Sequence, residues 1–246
     1  MRDLVSTEEL AARLGDPGFC VADVRWYLDP ALLGRVAYQA GHVPGAVFFD
    51  LDADLSAPGG GRGQPEGRHP WPSEEQVARV MGAAGIGPET QVVAYDDQAG
   101  AIAARFWYVL KAHGHAAVAV LDGGLAKWLA EGRPLSTLAP RPAARGFAAR
   151  LLPGFVATKA ELASLDPQRL LLDARAPERY RGELEPVDPR AGHIPGARNA
   201  PYAGNLTDSP VPGFLPAGAL RDRYAKLGAG AREPVVYCGS GVTACH

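Results

Sequence analysis

The feature that most limits the fold of this chain is an internal duplication. AGHVPGA at Ala40–Ala46 recurs as AGHIPGA at Ala191–Ala197, seven positions with one aliphatic exchange. Other signals repeat around it in the same order. Ser6 to Glu9 and Thr158 to Glu161 both form capping boxes, a hydroxyl residue at the N-cap with Glu three residues later. An apolar run ends at Asp23-Val24-Arg25 and again at Asp173-Ala174-Arg175, and VVAYDD from Val92 matches VVYCGS from Val235. The offset is 150 residues at Arg25, 151 at Ala40 and 142 at Tyr95, so a loop in the first half is longer. Two copies at this period mean tandem domains, because solenoids stack three or more short repeats. With 246 residues in all, each copy is long enough for a core of its own. The division read from the sequence is 1–135, a connecting segment 136–154 rich in Pro, Ala and Arg, and 155–246.

Within each half, short apolar runs alternate with helical patterns, which predicts an α/β fold with a mostly parallel sheet flanked by helices. In the first half the strands fall near Phe19–Val24, Val47–Phe49, Val92–Tyr95 and Val118–Leu121. Helices are expected near Glu8–Leu14, Ser73–Ala84 and Ala99–His113, with Asp122–Trp128 turning into a last short one. The second half repeats this plan as far as Val235–Tyr237. His246 matches about Ala104 of the first half, so the second domain is expected to be truncated, short of the first by roughly 30 to 40 residues.

The residues after Val235–Tyr237 carry the chemistry. Sites in open α/β sheets form beyond the carboxyl ends of strands, where the next helix presents free N–H groups. Cys238 stands there, followed by Gly239, Ser240, Gly241, Val242 and Thr243. A glycine-rich turn lets the backbone curl with its amides around the sulfur, which favours the nucleophilic thiolate and a charged covalent intermediate. The bland alternative is a small buried hydrophobe. That reading suits Cys20, inside a strand, and is the default for Cys245, too far from Cys238 for a Cys-x-x-Cys pair.

Composition narrows the partners. A net charge near −2 argues against nucleic acid and anionic membrane surfaces. No apolar stretch approaches a membrane span, and the N-terminus carries acidic residues where a signal peptide needs an apolar core. Three cysteines make no disulfide framework or zinc pattern, which points to a reducing, cytoplasmic compartment. His113 and His115 have no carboxylate or Cys partner in sequence, so no metal is expected. His42 and His193 read as structural because both halves carry one. Trp107, Tyr108 and Trp128 read as core and inter-domain packing.

The two GH[VI]PGA units with a Cys-Gly-Ser-Gly-Val-Thr loop in the second alone resemble the two-domain rhodanese-type sulfurtransferases over essentially the whole chain. The resemblance implies two tandem rhodanese-like domains, the first catalytically silent, with Asp96 at the position matching Cys238. It implies sulfur transfer from a small anionic donor, through a persulfide on Cys238, to cyanide or a thiol acceptor, a thioredoxin-like protein among them, with no cofactor. In the family, a Gly-Ser-Gly-Val loop goes with 3-mercaptopyruvate and basic loop residues go with thiosulfate, which stays the alternative. The resemblance further implies that Ser240 works with His69 and Asp52 of the first domain. His69 reads equally as an exposed loop histidine beside prolines, and Asp52 as an acidic turn residue. Arg179 matches the family's first substrate arginine. The second falls on Val187, leaving Arg190 as a substitute or as a solvated loop charge. A cysteine phosphatase would need Arg at position 244, which is alanine. A non-catalytic binding module of this fold usually lacks the loop cysteine.

Overall fold

A computed structural model describes residues 2–164, 169–230 and 233–246. The first half contains β1 (Leu4–Val5), α1 (Thr7–Ala11), β2 (Phe19–Asp23), α2 (Gly34–Ala40) and β3 (Ala46–Phe48). It continues through α3 (Glu74–Ala83), β4 (Gln91–Tyr95), α4 (Ala103–Ala112), β5 (Val118–Leu121) and α5 (Gly124–Ala130). Its five strands are all parallel, in the order β1-β5-β4-β2-β3. Side chains alternate across each strand, so the sheet has two buried faces. Cys20, Ala22, Val92, Ala94, Val118 and Val120 join α3 and α4 on one face. Val21, Val93, Tyr95 and Leu121 join Leu10, Leu125 and Trp128 on the other.

The second half carries α6 (Lys159–Ala163), β6 (Leu171–Asp173), α7 (Pro177–Arg181) and β7 (Arg198–Asn199). A 3₁₀ turn (Tyr202–Asn205), α8 (Ala217–Lys226), β8 (Val235–Tyr237) and a last 3₁₀ turn (Thr243–Cys245) complete it. The three strands are parallel in the order β7-β6-β8, which repeats β3-β2-β4. In the first sheet the chain leaves the adjacent central strands β2 and β4 in opposite directions, the arrangement that opens a crevice at their carboxyl ends. Among the described residues, the second sheet's apolar cluster is small: Leu170, Leu172 and Ala200, with Tyr224, Leu227 and Ala229 against it. No described helix is long and apolar enough to cross a membrane.

Both capping boxes form. Ser6 accepts from the Glu9 amide while Glu9 accepts from the Ser6 amide, and Thr158 and Glu161 do the same. The predicted strands stand within a residue of expectation, but β1 and α2 have no counterpart among the expected elements. β1 is two residues long and pairs only at the sheet edge, and α2 has no side-chain cap at its start. The helix expected from Ala99 begins at Ala103, because residues 97–102 wrap around the Asp96 carboxylate. The connecting segment has neither helix nor regular strand, yet it is a fitted strap. Ser136 bridges to His42, the amides of Arg145, Leu151 and Leu152 donate to Gly82 O, Glu74 Oε1 and Ala112 O, and Phe147 packs on the core.

The repeated motifs serve one construction. In the first half Asp23 takes a multidentate Arg25 fork and the Tyr95 hydroxyl at 2.6 Å, Arg25 donates to Gly41 O, and Tyr95 accepts from the Val43 amide. The second half repeats it with Asp173, Arg175, Gly192, Tyr237 and Ile194. Burial pushes the Asp173 carboxyl up, but the Arg175 guanidinium and amide and the Tyr237 hydroxyl outweigh it and hold it below its usual range. His42 and His193 stack on Tyr38 and Tyr180 and bond their carbonyls, so both are structural. The duplicated turn is thereby pinned to the end of the strand that precedes the loop.

Candidate active site

Cys238 leaves β8 into the crevice between the halves. The Gly241 and Ser240 amides donate to its Sγ at 3.1 and 3.5 Å. Gly241 has φ +74°, the left-handed region that permits this curl. Val242 is only 3% exposed and belongs to the apolar core of the first half, so the loop is clamped by the opposite half. A cavity of about 720 Å³ opens here, with His69 and Arg105 on one wall and Cys238, Ser240 and Cys245 on the other.

Two of the residues expected from the first half meet. His69 Nε2 lies 3.0 Å from Asp52 Oδ1, and Trp26 Nε1 donates to Asp52 Oδ2 at 2.7 Å. A carboxylate only accepts, so Nε2 carries the proton, and Nδ1, buried and without a hydrogen-bond partner among the described residues, is the basic nitrogen. Burial lowers the His69 pKa below its usual value against the opposing pull of Asp52. The imidazole is therefore neutral at pH 7. Ser240 lines the same cavity, but among the described residues no hydrogen bond joins its hydroxyl to His69, so the three-residue relay is not assembled.

Arg179 lies beside the loop, with its Nη2 3.2 Å from where a Gly239 Cβ would stand. Its fork is engaged by Glu185, Nη2 to Oε1 at 2.7 Å, and by Asp188 Oδ2 at 2.8 Å. Arg190 does not join the site: it is exposed on the loop before Gly192 and makes no ion pair among the described residues. Arg68 of the first half stands there instead, with Nη2 2.6 Å from the Gly239 Cβ position and Nε donating to Asp188 at 3.1 Å. Gly239 is thus required by close approach rather than by an unusual φ, and the loop's cation arrives across the crevice.

Sequence reasoning also missed Arg105 on α4. It is 3% exposed and donates to the carbonyls of Gly241, Leu55, His69 and Pro70, tying both halves to the loop. Burial pulls its pKa below the ordinary value, opposed by the Cys245 and Cys238 thiols beside it. Cys245 is more than core packing: it lines the cavity and its Sγ contacts Gly241 O at 3.3 Å, while burial pushes its thiol up to about 12. Cys20 is core as expected, raised to about 12 by burial. A charged residue in the first turn of an apolar helix, like Arg105 after Ala101-Ile-Ala-Ala, is the one sequence signal that marks such a group.

The arrangement defines a thiol-dependent transferase with its nucleophile on an amide loop between two parallel sheets. Comparison with known proteins names the group. A rhodanese-like domain model matches residues 6–131 and again 157–246. A probable 3-mercaptopyruvate sulfurtransferase of Pseudomonas aeruginosa is 45% identical over 99% of this chain and 86% of its own. A putative thiosulfate sulfurtransferase of Mycobacterium tuberculosis is 41% identical over 98% and 84%. The crystal structure of SseA from Escherichia coli, described as a rhodanese-fold 3-mercaptopyruvate sulfotransferase, superposes with a TM-score of 0.84 at 29% identity. It covers all of this chain and 91% of that one. The chain belongs to the rhodanese family and is a sulfurtransferase.

Proposed function

We propose that this protein takes sulfur from 3-mercaptopyruvate onto Cys238 as a persulfide and hands it to a thiophilic acceptor. The observation that carries the reading is Cys238 Sγ facing an inter-domain cavity with two backbone amides upon it and a neutral His69 on the opposite wall. The thiolate attacks the donor sulfur, an S–S bond forms, and the S–C bond breaks with its electron pair passing into the pyruvate enolate. The thiol proton moves to the enolate carbon, giving pyruvate and a persulfide anion. His69, oriented by Asp52, carries that proton, and Ser240 is the hydroxyl within the cavity able to pass it on. The Ser240 and Gly241 amides hold the persulfide charge.

The first domain is catalytically silent in this scheme and supplies His69, Asp52, Arg68 and Arg105. Arg179 holds the donor carboxylate. The acceptor is cyanide in the test tube and a protein thiol of thioredoxin type in the cell. The free thiols of Cys20, Cys238 and Cys245 suit a reducing, cytoplasmic compartment.

Thiosulfate is the second donor, favoured by one observation: Arg68 brings a guanidinium to Gly239, the place where a basic loop residue would put it. Comparing kcat/KM for the two donors, with cyanide as acceptor, in wild type and Ser240→Ala decides between them. We expect a wild-type preference for mercaptopyruvate and a larger loss with that donor in Ser240→Ala. A wild-type preference for thiosulfate, or equal losses with both donors, overturns the mercaptopyruvate assignment.

A further inference from the structure

Deepening that reading of the site, and resting on it, we infer that Asp188 is the resident anion of the donor site, a carboxylate that the donor displaces, and that it sets the charge of the donor accepted. Asp188 spans the two halves, Oδ1 on Arg68 Nε at 3.1 Å and Oδ2 on Arg179 Nη2 at 2.8 Å. Its Oδ2 lies 2.6 Å from the Gly239 Cβ position, next to the nucleophile. It therefore holds both guanidinium groups against the loop that carries Cys238.

Its neighbour Glu185 is held differently. That carboxylate is 5% exposed, binds Arg175 and Arg179, and accepts the Val187 and Asp188 amides. Asp188 is 19% exposed, and its side chain bonds only the two arginines among the described residues. Arg62 fixes the backbone beneath it by donating to the Pro186 and Val187 carbonyls. A fixed loop whose one partly exposed carboxylate bonds only the arginines lets that side chain swing away while the arginines stay.

The charge balance gives the consequence. Arg68, Arg175 and Arg179 are matched by Asp173, Glu185 and Asp188, so the filled cluster is neutral. Withdrawing Asp188 leaves one positive charge, which suits a monocarboxylate such as mercaptopyruvate. A dianion such as thiosulfate overfills the cluster and meets the displaced Asp188 as a like charge. Arg68 also accounts for Val187: the second guanidinium comes from the other half of the molecule.

Asp188→Asn keeps the shape and removes the charge. We expect KM for thiosulfate to fall about tenfold and KM for mercaptopyruvate roughly threefold, with kcat for both changing less than about twofold. Asp188→Glu should restore the wild-type ratio of the two KM values. On the wild-type protein, independent of any variant's folding, sulfate should compete with mercaptopyruvate more weakly than pyruvate does. An unchanged or inverted KM ratio in Asp188→Asn, or stronger competition by sulfate in wild type, overturns this inference while the sulfurtransferase reading stands. A wild type that takes sulfur from neither donor overturns both.

Discussion

The loops after β4 and β8 begin alike and end differently. Each starts after a tyrosine whose hydroxyl is tied to a buried aspartate and to the duplicated turn. In the second loop the next residue is Cys238, with two amides on a sulfur that faces a cavity. In the first it is Asp96, fully buried, whose carboxylate takes four amides at 2.7–2.9 Å: Gln98 and Gly100 on one oxygen, Ile102 and Ala103 on the other. Both loops gather amides around one side chain. One is filled permanently by the chain's own carboxylate and holds α4 and the structure around it. The other leaves room for chemistry. The same backbone device is a structural joint or a reactive centre according to one residue and its exposure.

The comparison breaks most visibly if the sulfur-bearing residue is exchanged. Cys238→Ser should remove cyanide-releasable sulfur after incubation with donor and lower kcat by about 10⁴-fold or more. Sulfur that persists in this variant would mean that the first half, or Cys245, carries it instead.

A smaller effect tests the filled loop. Asp96→Ala leaves four buried amides without their acceptor, so stability should fall by about 3 kcal/mol or more, read from urea unfolding. A loss under about 1 kcal/mol would show that the first loop is not held by its carboxylate.

The gentlest test concerns the histidine that one half lends to the other. Because burial depresses the His69 pKa, its basic form is full at pH 7 and is lost only as pH falls past a midpoint below the ordinary 6.5. The mercaptopyruvate rate should drop by at most about tenfold per pH unit below that midpoint, and His69→Gln should flatten this acid limb. An acid limb that survives in His69→Gln assigns the titration to another group.

Much of this is legible in the residues because it depends on short spacings. Short continuous apolar runs mark the strands, hydroxyl-to-Glu spacing marks both capping boxes, and the repeat itself pairs Asp96 with Cys238. The glycines after Cys238 announce an amide loop, since only the local backbone is needed to form one. α2 escapes because seven residues without a side-chain cap give little periodic signal, and its place is set by Tyr38 packing into the core.

What the sequence could not supply is every contact between the halves. Arg68 and Arg179 meet at Gly239 although 111 residues separate them, and Arg105 reaches Gly241 from 136 residues away. Neither pairing has a periodicity or spacing to betray it, so along the chain the only substitute on offer is Arg190, which reads equally as a solvated loop charge, and nothing points to Arg68. Val242 packing into the first core and Asp188 bridging both arginines are equally invisible along the chain. Local order follows from backbone propensity and the short runs and spacings of apolar residues, which act over a few positions. The site's charges and walls are decided by which surfaces burial brings together, and only the folded molecule fixes that.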